Sequence, residues 1–200
     1  MSYKIEINNL TSNIGYDLFD EMEISIKSFS HTFEEGKCYG LDMDEHQGYL
    51  VSMALCGVIK GDGVKVYKDG KQVGEEELLK DSLLMGLSRE KKTFREEINS
   101  LNLSKEAVNN LFEKYGLSEN RIKRSYENTS SERWRMSFAL GSLLDKKLYC
   151  FPYIPIQLAE SYAPLWLKDF IDEVKDRGGI VVVPNIVTPN NKYLFDEVIN

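Results

Sequence analysis

Histidine, cysteine and tryptophan are scarce in this chain of 200 residues, which has two, three and two of them. The cysteines, Cys38, Cys56 and Cys150, are far apart in the sequence and stand in apolar surroundings. Their number is odd and their spacing is not that of a zinc site. We therefore expect buried free thiols in a reducing compartment and no metal site.

Long apolar runs and an excess of positive charge are also lacking. No apolar segment approaches the length of a membrane span, and the first ten residues lack the apolar core of a signal peptide. The formal net charge of -7 repels a phosphate backbone. We expect a cytoplasmic protein that neither binds nucleic acid nor inserts into a membrane, so any membrane contact would go through a partner.

The composition is that of a folded α/β domain, because 42% of the residues are hydrophobic and 28% are charged. Alternating apolar side chains predict half-buried antiparallel strands over residues 4–10 and 22–33, the second with a bulge near Lys27. The pattern then predicts a turn at 34–37 and a buried strand at 38–41. A polar loop at 42–47 leads into a helix at 48–59, and a short strand follows at 64–68.

The second half of the chain favours helices alternating with buried strands. Residues 75–115 are rich in helix formers and charges and predict a mainly helical insertion. Beyond it we predict a helix at 133–144, a strand at 148–151, a helix at 162–176 and a strand at 180–183. Strand, helix and strand form a crossover unit, which is expected in a parallel sheet with helices on both faces.

Several segments resemble parts of ABC transporter ATPases, in the same order along the chain. Residues 33–41 are similar to the approach to the Walker A loop, 56–60 to the end of the helix after it, and 64–70 to the next hairpin. Residues 93–98 resemble the start of the helical subdomain, 131–140 the signature motif and its helix, and 145–148 the approach to the Walker B strand. The collinear match extends from about residue 4 to 183.

The resemblance implies a P-loop NTPase-like mixed sheet with flanking helices, a small antiparallel β subdomain and a helical insertion. The whole chain, 1–200, would be one ABC ATPase-like domain. Within it, residues 1–80 would hold the N-terminal strands and the P-loop-like region, 81–128 the helical subdomain, and 129–200 the remainder of the core.

The phosphate-loop counterpart departs from the family's chemistry. A phosphate loop uses glycine amides, a lysine and a Ser or Thr hydroxyl to hold Mg-ATP. The matching stretch has Gly48 near its end, no Lys or Arg from 41 through 59, and the carboxylates Asp42, Asp44 and Glu45. Those carboxylates would also suit a hard cation, but a solvated turn is the commoner explanation, and the spacing of a calcium loop is absent.

The Walker B and switch positions also lack the family's side chains. No carboxylate occurs from 148 through 159, where the family places its magnesium and water ligands. The switch histidine would fall at Pro184 or Asn185. We therefore assign no catalytic residue. Cys38 with His31 could form a nucleophile and base, but on adjoining strands core packing is favoured.

The signature region and one aromatic keep some family character. Thr129, Ser130 and Ser131 carry hydroxyls, and Glu132 replaces the usual glutamine; they would face ATP bound by a partner, or else form an ordinary helix cap. Tyr16 resembles the aromatic residue that stacks on adenine in the family. Because the phosphate site is missing, we favour the alternative that Tyr16 is an ordinary surface or core aromatic.

These features predict a catalytically degenerate ATP-binding cassette subunit of an ABC transporter. It would pair with a partner ATPase, as a dimer, or dock under a membrane permease on the inner face of the membrane. It would need no cofactor of its own and would meet ATP and Mg²⁺ only together with a partner. Two alternatives remain: an atypical ATPase using Lys91, Lys92 or Arg95 from the insertion, and an interaction module unconnected with transport.

Overall fold

The computed structural model of this chain describes residues 2–11, 13–14, 24–25, 28–59, 62–86, 92–125, 129 and 131–200. It has two compact units. The core unit comprises Met1–Leu83 and Lys146–Asn200, and the helical unit comprises Leu84–Asp145. Within the described ranges, no helix is both long enough and apolar enough to cross a bilayer.

The strands, in chain order, are β1 (Tyr3–Thr11), β2 (Asn13–Ile14), β3 (Ile24–Ser25), β4 (Phe29–Glu34), β5 (Cys38–Asp42), β6 (Asp62–Lys68), β7 (Lys71–Val73), β8 (Ser82–Leu84), β9 (Leu148–Cys150), β10 (Ile180–Asn185) and β11 (Glu197–Ile199). The helices are α1 (Glu45–Leu55), α2 (Glu75–Asp81), α3 (Phe94–Ser100), α4 (Lys105–Tyr115), α5 (Glu132–Leu143), α6 (Ile156–Tyr162) and α7 (Lys168–Asp176).

An antiparallel sheet in the order β4-β1-β6-β7 forms one layer of the core unit. The alternation in β1 buries Ile5 and Ile7 against Phe33 of β4, as the period of two requires. The single strand predicted over residues 22–33 is wrong. Ile24–Ser25 pairs with Asn13–Ile14 in a separate ribbon, because the change of phase before Phe29 would put one strand's apolar side chains on both faces.

The second sheet has the order β11-β5-β10-β9-β8, and β11-β5, β5-β10 and β10-β9 are parallel pairs. All six residues of β10 are buried, as expected for a central parallel strand covered on both faces. The predicted parallel sheet is thus confirmed. The crossover from β9 to β10 begins at Ile156, before the predicted start at 162, and its two helices are joined by a π-helical turn, Ala163–Leu167.

The predicted helical insertion is interrupted by β8. Ser82 in this strand donates a hydrogen bond from its hydroxyl to the Cys56 carbonyl at 3.1 Å, and both Ser82 and Leu84 are buried. Tertiary contacts at the sheet edge thus outweigh the helix-forming composition around this strand.

The helical unit contains α3, α4 and α5. A reciprocal capping box between Thr93 and Glu96 starts α3. Helix α4 ends at Gly116, which has a left-handed conformation and whose carbonyl accepts a hydrogen bond from Arg135 of α5 at 2.7 Å. This unit includes α5, which the sequence analysis placed in the remainder of the core, because α5 packs on α4.

Candidate functional site

The connection between β5 and α1 is shorter than predicted. Helix α1 begins at Glu45, three residues before the predicted start at Gly48. Asp44 is its N-cap residue, and its carboxylate accepts a hydrogen bond from the Gln47 backbone N–H at 3.0 Å. A carboxylate at this position offsets the partial positive charge of the helix N-terminus. The N-terminus of α1 is thus capped by a carboxylate of the chain itself.

Gly48 lies inside α1 rather than in a loop. It is buried, and a Cβ atom built on it would come within 2.4 Å of Pro184 Cβ in β10. The absence of a side chain therefore lets the helix approach the central strand closely. Gly48 serves helix-to-sheet packing in this structure.

Asp42 ends β5 and is held by the loop that follows β10. Its Oδ1 accepts a hydrogen bond from the Val187 N–H at 3.2 Å. Asp42 pairs in register with Asn185, which occupies the switch-histidine position of the sequence analysis. Asn185 is fully buried, and within the described residues neither its amide oxygen nor its amide nitrogen has a hydrogen-bond partner.

The chain after β9 continues beside β10. The N–H of Phe151 donates to the Val182 carbonyl at 2.9 Å, and that of Ile154 donates to the Pro184 carbonyl at 3.1 Å. Ser52 of α1 donates its hydroxyl to the Phe151 carbonyl. Burial, reinforced by the carboxylates of Glu45 and Asp44, raises the pKa of the Tyr153 hydroxyl. Tyr153 therefore stays protonated near neutral pH.

A further carboxylate reaches this end of the sheet from α6. Glu160 Oε1 accepts a hydrogen bond from the Thr188 hydroxyl at 2.8 Å. The Thr188 N–H donates in turn to Oδ1 of the buried Asn191 at 2.8 Å. The sequence analysis missed Glu160, Thr188 and Asn191, and the available signal was their position after two strands predicted to be parallel.

The carboxyl ends of β5, β9 and β10 meet at one edge because these strands are parallel. Asp42, Asp44, Glu45 and Glu160 lie at this edge and are here called the acidic edge. The segments that leave the three strands, residues 42–59, 151–160 and 186–191, contain no Lys or Arg. They carry four carboxylates, and Lys192, whose N–H donates to the Thr188 carbonyl at 2.9 Å, directly follows the third segment.

The acidic edge does not have the ligand geometry of a metal site. Among the residues that the structure describes, no three His, Cys, Asp or Glu side chains converge on one point. The cation site considered for Asp42, Asp44 and Glu45 gains no support, since Asp44 caps α1 and Asp42 accepts from the Val187 amide.

The signature-like residues belong to the helical unit. Thr129 is buried, and Ser131 is the N-cap residue of α5 but makes no capping hydrogen bond through its side chain. Ser131 therefore does not cap α5 through its hydroxyl, because this residue has helical rather than extended dihedral angles. Ser130, like Tyr16 of the sequence analysis, lies outside the described residues.

Glu132 is a structural carboxylate. Its exposed fraction is 2%, its Oε1 accepts a hydrogen bond from the Ser118 N–H, and its Oε2 lies 3.1 Å from a guanidinium nitrogen of Arg121. These contacts tie the start of α5 to the segment after α4. The side chain is thus fully engaged within its own unit.

The remaining candidates are the insertion cations Lys91, Lys92 and Arg95 and the pair Cys38 and His31. The Arg95 guanidinium lies over the Phe112 ring, 5.3 Å from its centroid, and Lys91 is outside the described residues, next to the exposed Lys92. Burial raises the pKa of the Cys38 thiol. His31 packs edge-on against Phe33 and Tyr39. These contacts agree with core packing of the cysteine and histidine.

Solved structures of ABC transporter ATP-binding subunits share this architecture. One is cbiO1 from Clostridium perfringens, described as part of the transporter complex cbiONQ; it is 12% identical with a TM-score of 0.63, over 99% of this chain and 84% of that one. An ATP-binding cassette in its ADP conformation is 14% identical with a TM-score of 0.65, over 98% and 85% of the chains. An ATP-binding subunit is 15% identical with a TM-score of 0.62, over 96% and 83%.

No protein-family model and no curated protein sequence matches the chain. At identities this low, similarity of structure establishes the fold and leaves the activity open. The chain has the mixed α/β fold of the ATP-binding subunits of ABC transporters.

Proposed function

We propose that this chain is a cassette subunit of an ABC transporter that does not hydrolyse ATP and acts structurally or regulatorily beside a partner ATPase or a membrane permease. The observation that carries the proposal is the Asp44 carboxylate on the N-terminus of α1. The proposed role as a cassette subunit is inferred from the fold. The proposed lack of ATP hydrolysis is inferred from the residues at the acidic edge.

The capping contact supports the proposal because helix N-termini bind phosphate through free N–H groups and a favourable dipole. Here Asp44 uses one of those N–H groups, and Glu45 adds a second negative charge in the first turn. Two like charges about 4 Å apart repel by roughly 4 kcal/mol at the effective dielectric of a protein surface. A triphosphate placed here would be repelled by both carboxylates.

The residues of the acidic edge do not fit Mg-ATP. None of the three segments that leave the strands supplies a lysine or arginine for the outer phosphates. Tyr153 follows Pro152 where the family resemblance expects carboxylates, and a phenol hydroxyl is protonated near neutral pH and unsuited to act as a general base. We therefore derive no catalytic step through a nucleotide at this edge.

The signature-like stretch would then be the only family site left to meet ATP held by a partner. Of its described residues, Thr129 is buried and Glu132 is engaged with Ser118 and Arg121, whereas Ser131 is partly exposed and makes no cap. Ser131 is thus the described hydroxyl best suited to such a contact. The partner would supply the nucleotide, the metal and the catalytic groups.

A transporter complex at the cytoplasmic face of a membrane is the proposed setting. The similar structure cbiO1 is described as part of such a complex, which supports a partner subunit for this fold. The partner would be another ATPase or the permease itself. Genes encoding a permease beside the gene for this chain would favour the transporter role, and their absence would favour an interaction module unconnected with transport.

Nucleotide titration by calorimetry and a magnesium-dependent ATPase assay on the purified chain test the proposal. We expect no ATP binding and no hydrolysis above buffer. Asp44→Asn, which keeps the capping oxygen but removes the charge, is the control for contaminating ATPases, because it alters only activity that arises at this edge. Micromolar ATP binding with hydrolysis that changes in Asp44→Asn would establish the atypical ATPase instead.

A further inference from the structure

A cleft of about 210 Å³ lies between the β6-β7 hairpin and α2 in the core unit. The residues that give it an apolar wall come from α1, β6, β7 and α2, and they are Ala54, Val64, Val66, Val73 and Leu78. Ala54, Val66 and Leu78 are buried, whereas Val64 and Val73 are half-buried. The volume is below the ~300 Å³ of the smallest pockets that hold drug-sized ligands, so the cleft suits a single apolar side chain.

One edge of β6 is open beside this cleft. Strand β7 covers only the end of β6, because the first pair in their register joins Val66 to Val73. Beyond Val73 the chain leaves the sheet at Gly74, the N-cap residue of α2, whose carbonyl accepts a hydrogen bond from the Glu77 N–H at 3.1 Å. Among the residues that the structure describes, Val64 therefore has β1 on one side and no strand on the other.

The turn between β6 and β7 decides which backbone groups point to the open side. Asp69 and Gly70 have φ values of 50° and 75°, which is the conformation of a two-residue turn that closes the hairpin at Lys68. The closing pair exchanges both backbone hydrogen bonds, and pairs of this kind recur at every second residue of an antiparallel ladder. Lys68 and Val66 therefore direct their N–H and C=O groups toward β7, and Val64 directs its own into the cleft.

We propose that this cleft binds a short extended segment of a partner protein, which pairs with Val64 as an added strand and places one apolar side chain in the cleft. The residue that pairs with Val64 makes the same two backbone hydrogen bonds that Val73 makes with Val66. Its side chain lies on the same face of the sheet as that of Val64, which lines the cleft. The inference goes beyond the proposed function and holds whether or not the chain hydrolyses ATP.

Sterics and charge select this occupant. A second copy of the chain cannot pair through the same edge, because β7 occupies this side of β6 from Val66 onward and would collide with an incoming β6. Lys65 and Glu75 line the cleft with opposite charges, and within the described ranges neither forms an ion pair or a side-chain hydrogen bond. This balance disfavours an occupant of one charge sign, such as nucleic acid, and suits a segment that is apolar at its centre.

Amide hydrogen exchange of the unaltered chain, measured by NMR, tests the open edge. The Val64 amide should exchange at least about tenfold faster than the amides of Lys65 and Val66, because it lacks the backbone hydrogen bond that they make to β1 and β7. Equal protection of the three amides would show that the chain itself covers this edge and would overturn the proposal.

Titration with a pentapeptide that has a central leucine between threonines and blocked ends tests the occupant. We expect a dissociation constant of about 1 mM, since two backbone hydrogen bonds and one buried side chain must offset the entropy of association. Binding should protect the Val64 amide and shift resonances within residues 62–66 and 72–78. The same peptide with an N-methyl group on its leucine keeps the side chain but lacks the donor, and it should bind at least about tenfold more weakly. Equal binding of the two peptides, or equal shifts with free leucine, would identify a small-molecule site and overturn strand addition.

A matched pair of variants in β7 tests the cleft. Val73→Phe fills the cleft and should weaken binding of the pentapeptide at least about tenfold, because the leucine side chain loses its apolar contacts. Lys71→Phe adds the same ring on the same face of β7, two residues away and outside the cleft, and should weaken binding less than about twofold. Unchanged affinity in Val73→Phe would sink the proposal. Hydrogen exchange of the unaltered chain decides the question if Val73→Phe does not fold.

Discussion

Gly48 and Pro184 are in direct contact across the interface between α1 and the central strand. A Cβ atom on Gly48 would lie 2.4 Å from Pro184 Cβ, much closer than two carbon atoms can approach. We predict that Gly48→Ala destabilises the chain by about 2 kcal/mol, because overpacking outweighs the gain in helix propensity. Urea unfolding followed by circular dichroism measures the change.

Two controls make that result specific. Gly74→Ala adds a methyl group where its nearest neighbours lie at 3.7 Å or more, and it should cost less than about 1 kcal/mol. Pro184→Gly removes the opposing atom, so the Gly48→Ala and Pro184→Gly pair should show favourable coupling in a double-mutant cycle. Additive effects of the two substitutions would show that the contact is not the cause.

The cap of α1 gives the second prediction. Asp44→Ala removes the acceptor for the Gln47 amide and should lower the free energy of unfolding by about 1 kcal/mol, whereas Asp44→Asn should lose much less because asparagine also caps helices well. Thermal melts of the two variants at neutral pH compare them. Equal losses would assign the stabilisation to the charge of Asp44 and not to its hydrogen bond.

The start of α1 could have been predicted more accurately from the sequence. Asp44 followed three residues later by Gln47 is the pattern of an N-cap, and this signal outweighs the glycine at position 48 that resembles a phosphate-loop glycine. Glycine in a helix has two explanations, a loop boundary or a close approach. Only the position of Pro184, distant in sequence, decides between them.

The central strands could be predicted because the signal for them lies in consecutive residues. The β-branched run at 180–183 is buried on both faces, and the strand before α1 begins with a short apolar run, Cys38–Leu41, that is buried throughout. By contrast, β8 and β11 have three residues each, too few for a periodic pattern. Their positions follow from pairing with strands distant in sequence.

Only some of the carboxylates at the acidic edge could be predicted from the sequence. Asp42, Asp44 and Glu45 follow one strand and could be grouped by sequence alone. Glu160 joins them only because parallel pairing brings the ends of β9 and β10 beside β5, and Thr188 then orients its carboxylate. Long-range register therefore decides which carboxylates meet.

Glu132 provides the third prediction, which separates a structural role from a ligand role. Glu132→Ala should destabilise the chain by about 2 kcal/mol, because the Ser118 amide and the Arg121 guanidinium lose a buried acceptor. Glu119→Ala, at an exposed position of the neighbouring segment, should change stability by less than about 0.5 kcal/mol. If Glu132→Ala melts at the same temperature as wild type, the carboxylate is not structural. That result would favour a role for Glu132 in contacting ATP bound by a partner.

Asp196 links three elements of the core unit and gives a pH-dependent prediction. Its Oδ2 accepts the Cys38 N–H at 2.7 Å, and its Oδ1 accepts a hydrogen bond from Lys175 of α7 at 2.9 Å. Burial opposes ionisation of this carboxyl, but the hydrogen bonds from Lys175 and the Cys38 amide outweigh it and hold its pKa below the usual range.

The sign follows from linkage between protonation and folding. The folded state holds the carboxylate charged at a lower pH than the unfolded chain does, so Asp196 contributes stability above the unfolded pKa of about 4 and loses it as the pH falls through the folded value. Asp196→Asn should therefore be less stable than wild type at pH 7, and the difference should shrink below about pH 4. Urea unfolding of both proteins at a series of pH values measures it. A stability difference that stays constant across the acid range would assign the loss to altered packing around Cys38 and not to the charge of Asp196.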